Sequence, residues 1–177
     1  YRIEEDTNLD GIYDATITLK DGVAISQELD SDADGNIDQW LSLYADGQVR
    51  QSSEDSDRDG RADTTIKYDT SGNPTERSED ADEDGVPNRV VRYRDGKPRE
   101  VEEDSAGKGC FDHKQVLDDQ GELKQDFRDT DGNCKYDTTS FLEGGVIVRR
   151  EIDTNKNGII DVWVDFANGR RVLQAEA

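Results

Sequence analysis

The chain has 177 residues, of which 37% are charged and only 31% hydrophobic, and its net charge is −21. That balance leaves little apolar surface to offset the entropy of ordering a chain, and it repels nucleic acid and anionic membrane surfaces. No apolar run approaches the ~20 residues of a membrane-spanning helix, so an ordered fold needs another source of cohesion, for which divalent cations are the natural candidates.

In chain order, Tyr1 to Glu5 reads as the end of a second strand, and the acidic stretch DTNLDGIYD follows from Asp6 to Asp14. An alternating run through Ile17 and Leu19 comes next, then a turn at Gly22, then a more polar strand. The same succession restarts at Asp30, Asp55, Asp80, Asp104, Asp129 and Asp153, at intervals of 24 or 25 residues. Each unit also carries a turn glycine: Gly22, Gly47, Gly72, Gly96, Gly121, Gly145 and Gly169. From each of the first six glycines to the next leading Asp the distance is 8, so the one-residue variation lies before the glycine, at the turn. A fixed period of this kind marks a repeat architecture.

Within a unit, the twelfth position is mostly apolar (Ile17, Leu41, Ile66, Val91, Val164) and so is the fourteenth (Leu19, Leu43, Tyr68, Tyr93, Leu117, Leu142, Phe166). Period two with branched and aromatic residues predicts a strand with one buried face, and Asp-Gly or Ser-Gly after it predicts a hairpin turn. The second strand is polar, and Pro74 and Pro98 give up ladder bonds there. The core is therefore expected to be thin.

The acidic loops explain why so many carboxylates stand together. Acids or amides at loop positions 1, 3, 5 and 9, with glycine at 6, can converge on one centre and form an oxygen cage for calcium. Those residues are Asp6, Asn8, Asp10 and Asp14; Asp30, Asp32, Asp34 and Asp38; Asp55, Asp57, Asp59 and Asp63; Asp80, Asp82, Asp84 and Asn88; and Asp153, Asn155, Asn157 and Asp161. The sixth loop keeps Asp129, Asp131, Asn133 and Asp137 but has Cys134 in place of glycine. The fifth has Ala106 and Lys108 where acids belong, so a lysine in the shell would stand in for the ion. About six calcium ions are expected, which would bring the net charge to about −9.

An EF-hand is excluded, because its twelfth loop residue is a chelating Glu leading into a helix, whereas here that position falls inside a strand. The pattern D-x-[DN]-x-[DN]-G-x-x-D running into a strand resembles the calcium loops of FG-GAP (integrin-type) hairpins and of thrombospondin type 3 repeats. Tyr68-Asp69 followed by Gly72-Asn73 is similar to YD repeats of bacterial surface proteins. Both resemblances cover loop and hairpin, not the period.

Cys110 and Cys134 occupy nearly equivalent places in adjacent units, and a disulfide between them would staple the loop that lacks acids. It would imply an oxidising compartment, hence a secreted or cell-surface protein. His113 is the only histidine and reads as a strand residue, with no catalytic constellation around it. Trp40 and Trp163 share unit position 11 and read as a second packing surface or as a ligand platform. The absence of Met fits a piece of a longer protein.

The fold expected is all-β: seven tandem hairpins in an elongated or solenoid-like antiparallel array, calcium loops along one edge, with a closed propeller-like ring as the alternative. The expected function is non-enzymatic, a calcium-stabilised stalk, surface spacer or filament subunit that associates with itself or with neighbouring repeats. A calcium-dependent adhesion module recognising a glycan or an extracellular protein is the alternative.

Overall fold

The computed structural model describes residues 1–176. Its elements are all strands: β1 (Arg2–Glu5), β2 (Ala15–Lys20), β3 (Val23–Leu29), β4 (Gln39–Leu43), β5 (Val49–Glu54), β6 (Thr64–Tyr68), β7 (Pro74–Glu79), β8 (Arg89–Arg94), β9 (Lys97–Glu103), β10 (His113–Leu117), β11 (Leu123–Arg128), β12 (Thr138–Glu143), β13 (Val146–Ile152), β14 (Val162–Ala167) and β15 (Arg170–Glu176). The chain falls into two compact units, Tyr1–Gly85 and a second beginning at Val86. In each, strand order follows chain order and the pairing is antiparallel, as tandem hairpins require. β1 has one pairing neighbour, β2, and β15 has one, β14. Within each unit the strand order is thus open, as expected of a tandem hairpin array. Among the described residues no helix is long and apolar enough to cross a membrane.

Turn chemistry accounts for the two repeat lengths. In the 24-residue repeats the turn is a two-residue pair at positive φ, such as Asp21 (53°) and Gly22 (82°) or Asp95 (53°) and Gly96 (70°). That is the type I′ pattern whose twist suits a hairpin. The longer repeats instead close a three-residue turn, with the Gly47 N–H donating to the Tyr44 carbonyl at 2.9 Å and the Gly72 N–H to Asp69 at 3.0 Å. Every hairpin has a register shift between unit positions 13 and 14, as at Thr18/Leu19 and Phe141/Leu142. The sequence alone did not indicate this bulge.

The thin core is confirmed. Apolar first-strand residues face polar second-strand neighbours: Ile17 pairs with Gln27, Leu41 with Ser52, Ile66 with Arg77 and Val164 with Arg150. Among the described residues the buried apolar side chains are Ala15, Val90, Val91, Val101 and Val164. Seven buried aspartates outnumber these five: Asp14, Asp30, Asp38, Asp55, Asp104, Asp137 and Asp153. All seven sit at the first or ninth position of an acidic loop. The molecule therefore buries more carboxylates than hydrocarbon side chains, and each costs free energy unless it is hydrogen-bonded or neutralised.

Candidate metal centres

Each acidic loop is wound around its own carboxylates. The first Asp accepts the N–H of the sixth residue in all seven loops: Gly11 to Asp6 and Gly35 to Asp30 at 2.8 Å, Gly60 to Asp55 and Gly109 to Asp104 at 2.7 Å, and likewise Gly85, Cys134 and Gly158 to Asp80, Asp129 and Asp153. The ninth residue seals the loop from the other side. Its carboxylate accepts the second residue's N–H, as from Ser31 to Asp38 at 2.9 Å and Thr130 to Asp137 at 2.8 Å. It also accepts the hydroxyls of Thr7, Ser31, Ser56, Thr130 and Thr154. Two turns at positive φ bend each loop. Glycine supplies the one at position 6 except at Cys134 (66°), while position 4 adopts it with Leu9 (63°), Ala33 (61°), Arg58 (70°), Glu83 (58°) and Lys156 (62°).

Consecutive loops are tied at their bases. The N–H of the leading Asp donates to the carbonyl of the preceding loop's ninth residue, as from Asp30 to Asp14 and from Asp153 to Asp137, both at 2.8 Å. Each loop thereby continues the ladder of its sheet, which fixes both buried acids.

The hydrogen bonds favour the ionised state. The Thr7 hydroxyl, and after it the Thr7 N–H, holds Asp14 below the usual carboxylate range against the opposing effect of burial. Burial pushes Asp137 upward most, but the Lys156 ammonium and the two Thr130 donors outweigh it. Asp104 and Asp129 are likewise held low against burial by the N–H groups of their own loops.

Carboxylate oxygens converge within 4.8 Å in four of the loops: Asp30, Asp32 and Asp38; Asp55, Asp57 and Asp63; Asp80, Asp82 and Asp84; and Asp129, Asp131 and Asp137. Three of these sets combine positions 1, 3 and 9. Position 5 is drawn aside by its own turn, since the Asp34 and Asp59 carboxylates accept the N–H groups of Asn36 and Arg61; Asn133 does the same with Lys135. Asp59 instead meets Asp57 and Glu83. In the fourth loop the cluster consists of the first three acids, and the ninth residue, Asn88, is an amide. In the first loop Asn8 takes the place of an acid beside Asp6, Asp10 and Asp14, and in the seventh Asn155 and Asn157 do so beside Asp153 and Asp161. Neither forms a three-carboxylate cluster.

The donor set fits a hard divalent cation, since every group in it is oxygen and most are anionic. A sharper indication is Asp38 Oδ1, which is shut off from solvent and has no hydrogen-bond partner. Asp38 is 9% exposed, and its other oxygen takes both donors of Ser31. An unpaired, buried, anionic oxygen on a member of a carboxylate cluster is where a cation would be coordinated. Asp80 Oδ1 is likewise shut off and unpartnered.

Cys110 and Cys134 form a disulfide, with Cα atoms 5.8 Å apart. It joins the fifth loop to the sixth, and the fifth winds in the same way although Ala106 and Lys108 replace its acids. The Lys108 Nζ reaches the next loop, where it fills the space that a Cβ on Gly132 would need. His113 lies in β10, with Nε2 2.5 Å from Asp126 and Nδ1 3.4 Å from Glu103. Trp40 and Trp163 are half-buried, paired across the ladder with Glu28 and Ser53, and with Glu151 and Ala175.

No family model and no curated protein matches the chain. The seal made by the second residue was readable in advance, because Thr7, Ser31, Ser56, Ser105, Thr130 and Thr154 repeat at one position. The left-handed fourth residue was not, since nothing about Leu9 or Lys156 announces positive φ.

Proposed function

We propose that the protein is a calcium-stabilised extracellular repeat without enzymatic activity, serving as a stalk, a cell-surface spacer or a filament subunit. The observation that carries this reading is the buried, unpartnered Oδ1 of Asp38 within the Asp30–Asp32–Asp38 cluster. A chain with so few buried apolar groups needs those acids neutralised, and a divalent cation does this while cross-linking the first, third and ninth residues of a loop. Calcium suits such sites better than magnesium, because it accepts irregular all-oxygen shells. Extracellular calcium near millimolar matches modules of weak affinity, and the disulfide fits an oxidising compartment.

Under this reading the hairpins are a scaffold, and calcium stiffens the base of each loop where the ladder ties it to its neighbour. Native mass spectrometry of the protein in calcium tests it. About six bound ions are expected, and magnesium at equal concentration should leave most sites vacant. Uptake of no calcium at millimolar concentration would overturn the reading. Sedimentation in calcium then separates the roles, since a filament subunit lengthens with concentration and a spacer does not.

A further inference from the structure

The left-handed fourth residue of each acidic loop has a consequence beyond the bend. In the second, third, fourth and seventh loops the structure places the side chain of this residue against the loop that precedes it. Arg58, in the third loop, sets its guanidinium 2.5 Å from Asp32 Oδ2 of the second. Lys156, in the seventh, sets Nζ 2.6 Å from Asp137 Oδ2 and 2.9 Å from the Thr130 hydroxyl, both of the sixth. Glu83, in the fourth, brings a carboxylate oxygen within 4.8 Å of those of Asp57 and Asp59 in the third. Ala33, in the second, is too short to deliver any charge and lines a small cavity of about 90 Å³ with Asn8, Asp10 and Asp14 of the first.

We propose that this fourth residue sets the cation affinity of the preceding loop, so that Arg58 and Lys156 are built-in counter-ions that weaken calcium at the second and sixth loops while Glu83 is an added carboxylate that strengthens it at the third. The inference rests on the calcium reading above. The side chains are neither decorative surface charge nor ligands of their own loops: in each case the contact lies about one repeat back along the chain. Lys156 is the clearest, because the side chain of its partner Asp137 is 3% exposed and its own is only 31% exposed. Arg58 is more open at 60% and should act more weakly. Glu83 thereby crowds a third carboxylate beside Asp57 and Asp59 of the third loop. Arg61 lies nearby, with Nε 3.9 Å from Asp59 and its guanidinium donating to the Glu83 carbonyl at 3.0 Å. It is 69% exposed, so it offsets that crowding only in part.

The size of the effect follows from electrostatics. A unit charge about 5 Å from a divalent ion, at the dielectric of water, alters its affinity by roughly tenfold. Loop-resolved affinities come from following the sixth-residue amides by NMR during a calcium chloride titration of the full chain, with Gly35, Gly60 and Cys134 reporting on the second, third and sixth loops. Lys156→Gln should tighten the sixth loop by about tenfold and Arg58→Gln the second by less, whereas Glu83→Gln should weaken the third. Ala33→Lys supplies the converse, weakening the first loop as read at Gly11. Wild type that binds calcium while the variants leave these loops unchanged, or shift their own loop instead, would overturn the inference and spare the calcium reading. Wild type that binds no calcium would overturn both.

Discussion

Replacing Asp38 by asparagine should change the sign of its effect with the buffer. Asp38 Oδ2 accepts the Ser31 N–H and hydroxyl, both at 2.9 Å, while Oδ1 is buried without a donor. The amide oxygen of the variant can keep both Ser31 bonds, and its NH₂ takes the seat of Oδ1 in a residue clustered within 4.8 Å of Asp30 and Asp32. Without metal, the substitution removes a buried unpaired charge and adds donors, so Asp38→Asn should stabilise by about 1–3 kcal/mol. In calcium at about a hundred times the site's Kd, wild type gains about 2.7 kcal/mol there that the variant does not. Asn88 at the ninth position of the fourth loop indicates that an amide is tolerated in that seat. Urea unfolding of both proteins, in EDTA and in calcium, measures the two differences. The advantage should be present in EDTA and vanish or reverse in calcium. A variant destabilised in EDTA, or offset equally in both buffers, would refute the reasoning.

Removing the disulfide with Cys110→Ser and Cys134→Ser should cost about 3.5 kcal/mol, from the loop-closure entropy of its 24-residue separation; a urea midpoint unchanged from wild type would count against the staple. The pH dependence can be read away from the metal loops, at the turn acids. The N–H groups of Asn73 and Ser71 hold Asp69 below the ordinary 3.8, and the Lys124 ammonium does the same for Asp118. A carboxyl lowered in the folded state stabilises that state above its unfolded pKa, and the contribution fades as pH falls through the folded value. Stability in EDTA should thus fall less between about pH 6 and about pH 3 for Asp69→Asn than for wild type, and equal losses would argue against those turn hydrogen bonds.

The hairpins and the loop positions were legible because period two and the Asp-Gly signals act locally, within one unit. Even the 24- and 25-residue alternation was visible as a variable turn, and Asp21-Gly22 against Thr70-Ser71-Gly72 supplies its cause. Three features escaped. The bulge before position 14 depends on pairing geometry, which no single residue type marks. The positive φ at Leu9, Ala33 and Lys156 goes with the bonds of the next two N–H groups to the loop's first Asp, not with a glycine. The reach of Lys156 to Asp137, or of Lys108 toward Gly132, needs the spacing between neighbouring loops, and the sequence of one unit does not hold that. Four loops gather three carboxylates, and the first and seventh set Asn8, Asn155 and Asn157 beside their acids, a difference already legible in the sequence.

The most direct test of calcium-held cohesion is thermal unfolding followed by far-UV circular dichroism, in millimolar calcium and again in excess EDTA. Several sites each contributing about 2.7 kcal/mol at a hundredfold excess over Kd should raise Tm by more than ~10 °C, at about 2–4 °C per kcal/mol for a chain of this size. A melt displaced upward by calcium, and not by magnesium, is the predicted result. Superimposable melts in calcium and EDTA would contradict the account, because the buried aspartates would then be stable without the ion they are argued to hold.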